Sequence, residues 1–113
     1  MGKAHSVAMI SVGSIFNTTL RPRLEMICTT SAQGAKEKAV AYGFMSSTAE
    51  WRELVSNPNV EAIVIASPQQ THRAIALLAI SLGKPVLCEK PLGENLDDSR
   101  AMAAAAESAG IIN

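Results

Sequence analysis

Two short apolar runs in this chain give way abruptly to residues capable of chemistry. The first is Ala62 to Ala66, followed by Ser67, Pro68, Gln69 and His72; the second is Pro85 to Cys88, followed by Glu89, Lys90 and Pro91. An uninterrupted apolar run of this length fits a strand covered on both faces. In a parallel sheet wound with helices, ligands sit at the carboxyl ends of strands. If the two runs are neighbouring strands, their polar followers converge on one site. A lysine beside a carbonyl or alcohol can polarise the oxygen or assist proton transfer, and burial lowers its pKa toward that task. The bland alternatives are a solvated lysine in a turn and a solvated histidine in the first turn of a helix.

The elements that must position these groups are legible from periodicity and stop signals. Residues 2 to 16 read as a helix with Ala4, Ala8, Val12 and Ile15 on one face, and Gly13 weakens it. Thr18 to Arg23 is a loop in which Pro22 keeps Arg21 extended. Leu24 to Thr29 is strand-like, with Met26, Ile27 and Cys28 expected inside. Ser31 caps a helix that reaches about Tyr42 and stops at Gly43. Ser47-Thr-Ala-Glu50 has the form of a capping box for a helix carrying Trp51, Leu54 and Val55, ended by Asn57-Pro58. Trp51 reads as a packing anchor. Residues 70 to 82 form the next helix, with Ile75, Leu78, Ala79 and Leu82 inward and Gly83 as its stop. Asn95 caps a last, alanine-rich helix, with Asp97 and Asp98 where the helix dipole favours negative charge. Gly110 ends it, and Ile111-Ile112 looks like a strand just begun. Strands alternating with helices predict an α/β fold with a doubly wound parallel sheet.

Composition narrows the function classes. The chain has 113 residues, 48% of them hydrophobic, enough for one domain with a core. Ten basic and ten acidic residues cancel, and no basic stripe with interleaved aromatics suggests a nucleic-acid partner. No apolar run approaches the roughly 18 residues of a membrane span. Cys28 and Cys88 read as small buried hydrophobes in a reducing, cytoplasmic setting, and no four-ligand cluster suggests a metal. Met1-Gly-Lys-Ala-His-Ser6 fits the short N-myristoylation pattern, which leaves a lipidated peripheral protein as a third reading.

Ser67-Pro-Gln-Gln-Thr-His72 followed by Gly83-Lys-Pro-Val-Leu-Cys-Glu-Lys-Pro-Leu92 resembles the Gfo/Idh/MocA family of nicotinamide-dependent oxidoreductases, named for glucose-fructose oxidoreductase and inositol dehydrogenase. The signature is Glu-Lys-Pro after a strand, with Pro-x-x-x-His some twenty residues earlier. The resemblance covers essentially the whole chain and implies a Rossmann-like, NAD(P)-binding domain. Family members open with a strand and Gly-x-Gly-x-x-Gly; Gly2 would be the third glycine and His5 the histidine that often follows it. The resemblance therefore implies a chain lacking the first strand, most of the glycine-rich turn, and the following substrate domain with its Asp-x-x-x-His pair. In the usual strand order 3-2-1-4-5-6, the missing strand lies between residues 24–29 and 62–66. Both runs would then expose an edge, so marginal stability and self-association are expected.

Roles follow from the same resemblance. Lys90 is the expected catalytic residue, beside the nicotinamide and the reacting hydroxyl. Glu89 orients Lys90 or the ribose, or simply makes a local ion pair. Pro68 and His72 are expected to line the nicotinamide-ribose side, Ser67 and Pro91 to belong to the cofactor site, and Gly2 is what remains of the phosphate cradle. An acid after the second strand would bind the adenine-ribose hydroxyls of NAD; Thr29 to Gln33, around Ser31, contains none, which favours NADP over NAD. The expected function is hydride transfer between NAD(P) and a hydroxyl of a sugar, polyol or similar small molecule, with the isolated chain inactive. The alternative is a non-catalytic nucleotide-binding or interaction module on the same half-fold.

Overall fold

The computed structural model describes residues 1–113 and resolves into two compact units, Met1–Leu54 and Val55–Asn113. The architecture is α/β, with every paired strand parallel to its partner.

The first unit opens on α1 (Gly2–Ile15). Its buried residue is Ser6, whose Oγ donates to the Gly2 carbonyl at 3.0 Å and so carries no unmet polar group inward. Ala4, Ala8 and Ile15, expected inside, are exposed. Apolar residues surround most of this helix, so their spacing does not single out the buried side. β1 (Met26–Cys28) is half-buried rather than buried and pairs with β2 (Ser46–Thr48), with Ile27 opposite Ser47. The sequence reading had no β2. Three hydroxyl residues carry no strand-like apolar pattern, and the pairing rests on backbone bonds and on Ser46, whose N–H and Oγ both donate to the Glu25 carbonyl.

Between these strands runs α2 (Ala32–Tyr42), capped as its sequence requires. Ser31 Oγ accepts from the Gly34 N–H at 3.1 Å. Gly43 closes the helix at φ 78°, left-handed backbone that a Cβ would strain. α3 (Trp51–Ser56) is capped differently from the predicted box. Ser47 and Thr48 lie in β2, so Glu50 takes the cap position and its Oε1 accepts from the Arg52 N–H at 3.1 Å. Thr48 bonds Glu53, and the Arg52 guanidinium stacks on Trp51, 4.2 Å from the ring centroid.

The second unit is built on β3 (Ile63–Ile65) and β4 (Val86–Cys88), aligned Ile63–Val86, Val64–Leu87 and Ile65–Cys88. The 3₁₀ turn Gln69–Thr71 and α4 (His72–Ser81) connect them, and α5 (Leu96–Ala109) follows β4. Val55, Val60, Ile63, Ile65, Ile75, Ala76, Ala79, Ile80, Val86, Met102 and Ala106 are its buried apolar residues. Small side chains on α4 and α5 let these helices pack together. An Arg73–Asp98 ion pair at 2.8 Å joins their N-terminal turns.

Coverage of this sheet differs from expectation. Ile63 and Ile65 are buried, but Val64 is 41% exposed and its register partner Leu87 48%. α4 packs against β3 and β4, with α5 packed on α4, and the Val64–Leu87 face is left open, so β3 is not enclosed on both. Leu82, expected inside, terminates α4 and is exposed. At the far end the Ile112 carbonyl accepts from the Val86 N–H at 3.2 Å, a single ladder-like bond rather than a formed strand.

Candidate functional site

Parallel pairing brings the carboxyl ends of β3 and β4 to the same edge. The ladder extends one bond beyond the strands, with the Glu89 N–H donating to the Ile65 carbonyl at 2.9 Å. The residues following each strand therefore start side by side.

After β3 the chain turns tightly. Thr71 donates through both its N–H and its Oγ1 to the Pro68 carbonyl, at 2.9 and 2.7 Å. The Ser67 and Thr71 hydroxyls are 2.7 Å apart and bonded. The turn leaves Ser67, Pro68 and Gln69 exposed while directing His72 inward, where it is 2% exposed. His72 Nε2 lies 2.8 Å from the Ser67 carbonyl, and Nδ1 lies 3.3 Å from the Leu92 carbonyl.

After β4 the chain is held at several points. The Lys90–Pro91 peptide is cis, and the Lys90 N–H donates to Glu89 Oε2 at 3.2 Å. Glu89 is half-buried, whereas Lys90 and Pro91 are exposed. Gly93 lies flush against the first turn of α5. A Cβ there would be 2.7 Å from Asp98 Cβ, 2.8 Å from the Ser99 backbone nitrogen and 2.9 Å from Ser99 Oγ. Asn95 Oδ1 then caps α5 by accepting from the Asp98 N–H at 2.9 Å. Because backbone cannot move aside as a long side chain can, Gly93→Ala is expected to cost about 1–3 kcal/mol, read as a lowered urea midpoint at unchanged slope.

The structure thus gathers Ser67, Pro68, His72, Glu89, Lys90 and Pro91 around two adjacent strand ends of the second unit. In the first unit, Gly2 is the first helical residue of α1 and Ser31 caps α2. Thr71, Leu92 and Gly93 had no role assigned from sequence. Gly93, close before the Asn95 cap, was the visible clue; Leu92 acts through its carbonyl and left none.

Both thiols are free, and burial pushes each above its ordinary range, reinforced by Glu50 and Glu53 at Cys28 and by Glu89 at Cys88. The unfolded chain loses these protons more readily. The thiols therefore contribute stability that is intact below the ordinary thiol pKa and declines as pH rises through the folded value. Slow labelling by a disulfide reagent near neutral pH, accelerating on denaturation, is the expected readout.

Within each unit, taken by itself, there are groups of the kinds a nucleotide can use. The first turn of α1 carries no acid and offers backbone N–H groups to an anion. The Ser31 loop holds no carboxylate to repel a phosphorylated ribose. The paired strand ends offer hydroxyl, carboxylate and ammonium groups for a ribose and a polar ring.

Comparison with known proteins shows the family and the fold. The model of the Gfo/Idh/MocA oxidoreductase family, NAD-binding Rossmann fold, matches residues 2–112. This chain belongs to that family. Levoglucosan dehydrogenase of Pseudarthrobacter phenanthrenivorans is 34% identical over 114 residues, covering 100% of this chain and 29% of the relative. A solved structure of levoglucosan dehydrogenase in complex with NADH has a TM-score of 0.94 at 34% identity, covering 98% of this chain and 30% of that one. Trans-1,2-dihydrobenzene-1,2-diol dehydrogenase of Sus scrofa is 37% identical over 106 residues, covering 88% of this chain and 32% of the relative. The chain therefore spans about a third of the length of these relatives. No helix in it is long and apolar enough to cross a membrane.

Proposed function

We propose that this chain is the cofactor-binding part of an oxidoreductase that moves hydride between NAD(P) and a hydroxyl of a sugar, polyol or related small molecule. The observation that carries the reading is the in-register parallel pair β3–β4, which sets Ser67–His72 beside Glu89–Pro91. The cofactor, when bound, supplies the hydride donor or acceptor. Lys90 donates a hydrogen bond to the reacting oxygen and holds or passes its proton; Glu89, bonded to the Lys90 backbone, steadies that loop. In the second unit, Ser67, Pro68 and Pro91 line the ribose side; in the first, Gly2 and Ser31 are the proposed contacts to phosphate and adenosine. Levoglucosan dehydrogenase, solved with NADH and levoglucosan, supports the substrate class.

On the adenosine side we favour NADP over NAD, because Thr29–Gln33 lacks a carboxylate. We propose that the substrate is presented by a domain outside these 113 residues, so that the isolated chain is inactive. Self-association through open strand edges belongs to the same proposal and is read by sedimentation velocity.

The test is an amide NMR titration of the chain with NADPH and NADH to millimolar concentration. Shifts at Ser31, Ser67, Gln69, Glu89 and Lys90, larger at equal concentration with NADPH, are expected. No shift with either cofactor overturns the reading; stronger effects with NADH overturn only the cofactor preference.

A further inference from the structure

His72 is the largest fully buried polar side chain in the molecule, and both ring nitrogens face backbone carbonyls. Those carbonyls belong to different loops: Ser67 at the end of β3, and Leu92 just beyond Lys90–Pro91. Carbonyl oxygens only accept, so holding both at once requires an N–H on each ring nitrogen, as in the imidazolium; a neutral ring, with one N–H, would hold only one of them. A hydrocarbon side chain here would leave both carbonyls without this partner.

We infer that His72 is a positioning residue that pins the loop carrying Lys90 to the strand end carrying Ser67, and does not itself touch the cofactor. Its ring lies between the two candidate binding segments, with no open nitrogen facing solvent. The Lys90 loop is also restrained by the Glu89–Ile65 ladder bond to β3, by the Cys88 thiol donating to the Leu92 carbonyl at 4.0 Å, and by Gly93 against Asp98 and Ser99 of α5. The His72 contact falls after Lys90 in the chain and the Glu89–Ile65 bond before it, so Lys90 stands on a loop held at both flanks. Its relevance to hydride transfer rests on the proposed function; the tie itself does not.

The test is made on the full 113-residue chain by ¹⁵N relaxation and amide exchange. In the unmutated protein, order parameters near 0.85 are expected at Lys90, Leu92 and Gly93, together with a slowly exchanging Nε2–H coupled to the Ser67 carbonyl. His72→Phe keeps a ring of similar size without donors. It should lower those order parameters below about 0.6 and speed Glu89 amide exchange at least tenfold, leaving Met102–Ala106 unchanged. His72→Gln, which can restore a donor toward Ser67, should recover most of the order. A uniform loss of protection, or none, overturns the inference, as does an Nε2–H that exchanges freely with water.

If His72→Phe does not fold, the ring-proton measurement and the glutamine variant still decide. Cofactor titration of the folded variants separates a tie from a contact. Weakened binding with the loop still ordered would mean that His72 touches the cofactor, and the inference fails. If the unmutated chain binds neither cofactor, the proposed function fails, while the order parameters still judge the tie.

Discussion

Lys90→Met in the catalytically competent protein is expected to leave reduced-cofactor affinity within about threefold while slowing hydride transfer by about 10²–10⁴-fold, the usual range for losing a positioned proton-transfer group. Lys90 is exposed at the carboxyl end of β4, on a loop fixed by the Glu89–Ile65 bond and by Gly93 against α5. Methionine keeps the length of the stem and removes only the ammonium group. A loss confined to turnover would place that charge at the reacting oxygen. A change in cofactor affinity with unchanged turnover would instead make Lys90 a binding contact. Lys90→Arg sharpens the distinction. Arginine keeps the charge but presents a broad planar fork that cannot deprotonate at ordinary pH, so it should rescue binding and not turnover. Turnover of Lys90→Met equal to the unmutated protein would remove the residue from the chemistry.

Those features of the site that depend on near neighbours were legible in the sequence. Ser31 and Asn95 each accept from an N–H three residues on, and Gly43 needs only its own backbone angle. The polar followers of two apolar runs also announced the strand ends, because parallel pairing leaves them at one edge whatever the remainder of the fold does. What escaped notice depended on partners distant in the chain. β2 is made of serines and a threonine that pair through backbone, so no side-chain pattern marks it. The inward turn of His72 is set by carbonyls 5 and 20 residues away, which have no residue-specific signature. An apolar run reports that a strand is suitable for burial, not how many of its faces are covered. That distinction separates Val64 from its neighbours and can be measured.

Ile65→Ala is expected to destabilise the chain by about 2–5 kcal/mol, the range for removing a large aliphatic side chain from a packed interior. Ile65 is 2% exposed, and its carbonyl accepts from Glu89 at the edge of the candidate site. The loss is a large part of the roughly 5–15 kcal/mol that separates a domain of this size from its unfolded state. Val64→Ala, one position away on the same strand, should cost far less, because Val64 is 41% exposed and points to the uncovered face. Urea unfolding of both variants decides the matter. A large cost at 65 and a small one at 64 is the signature of a strand buried on one side. Equal large costs would mean that, in solution, something covers the Val64–Leu87 face, such as a second copy of the chain. The two cases then separate by protein concentration, since a face covered by association is stabilised by mass action and a face covered within one chain is not.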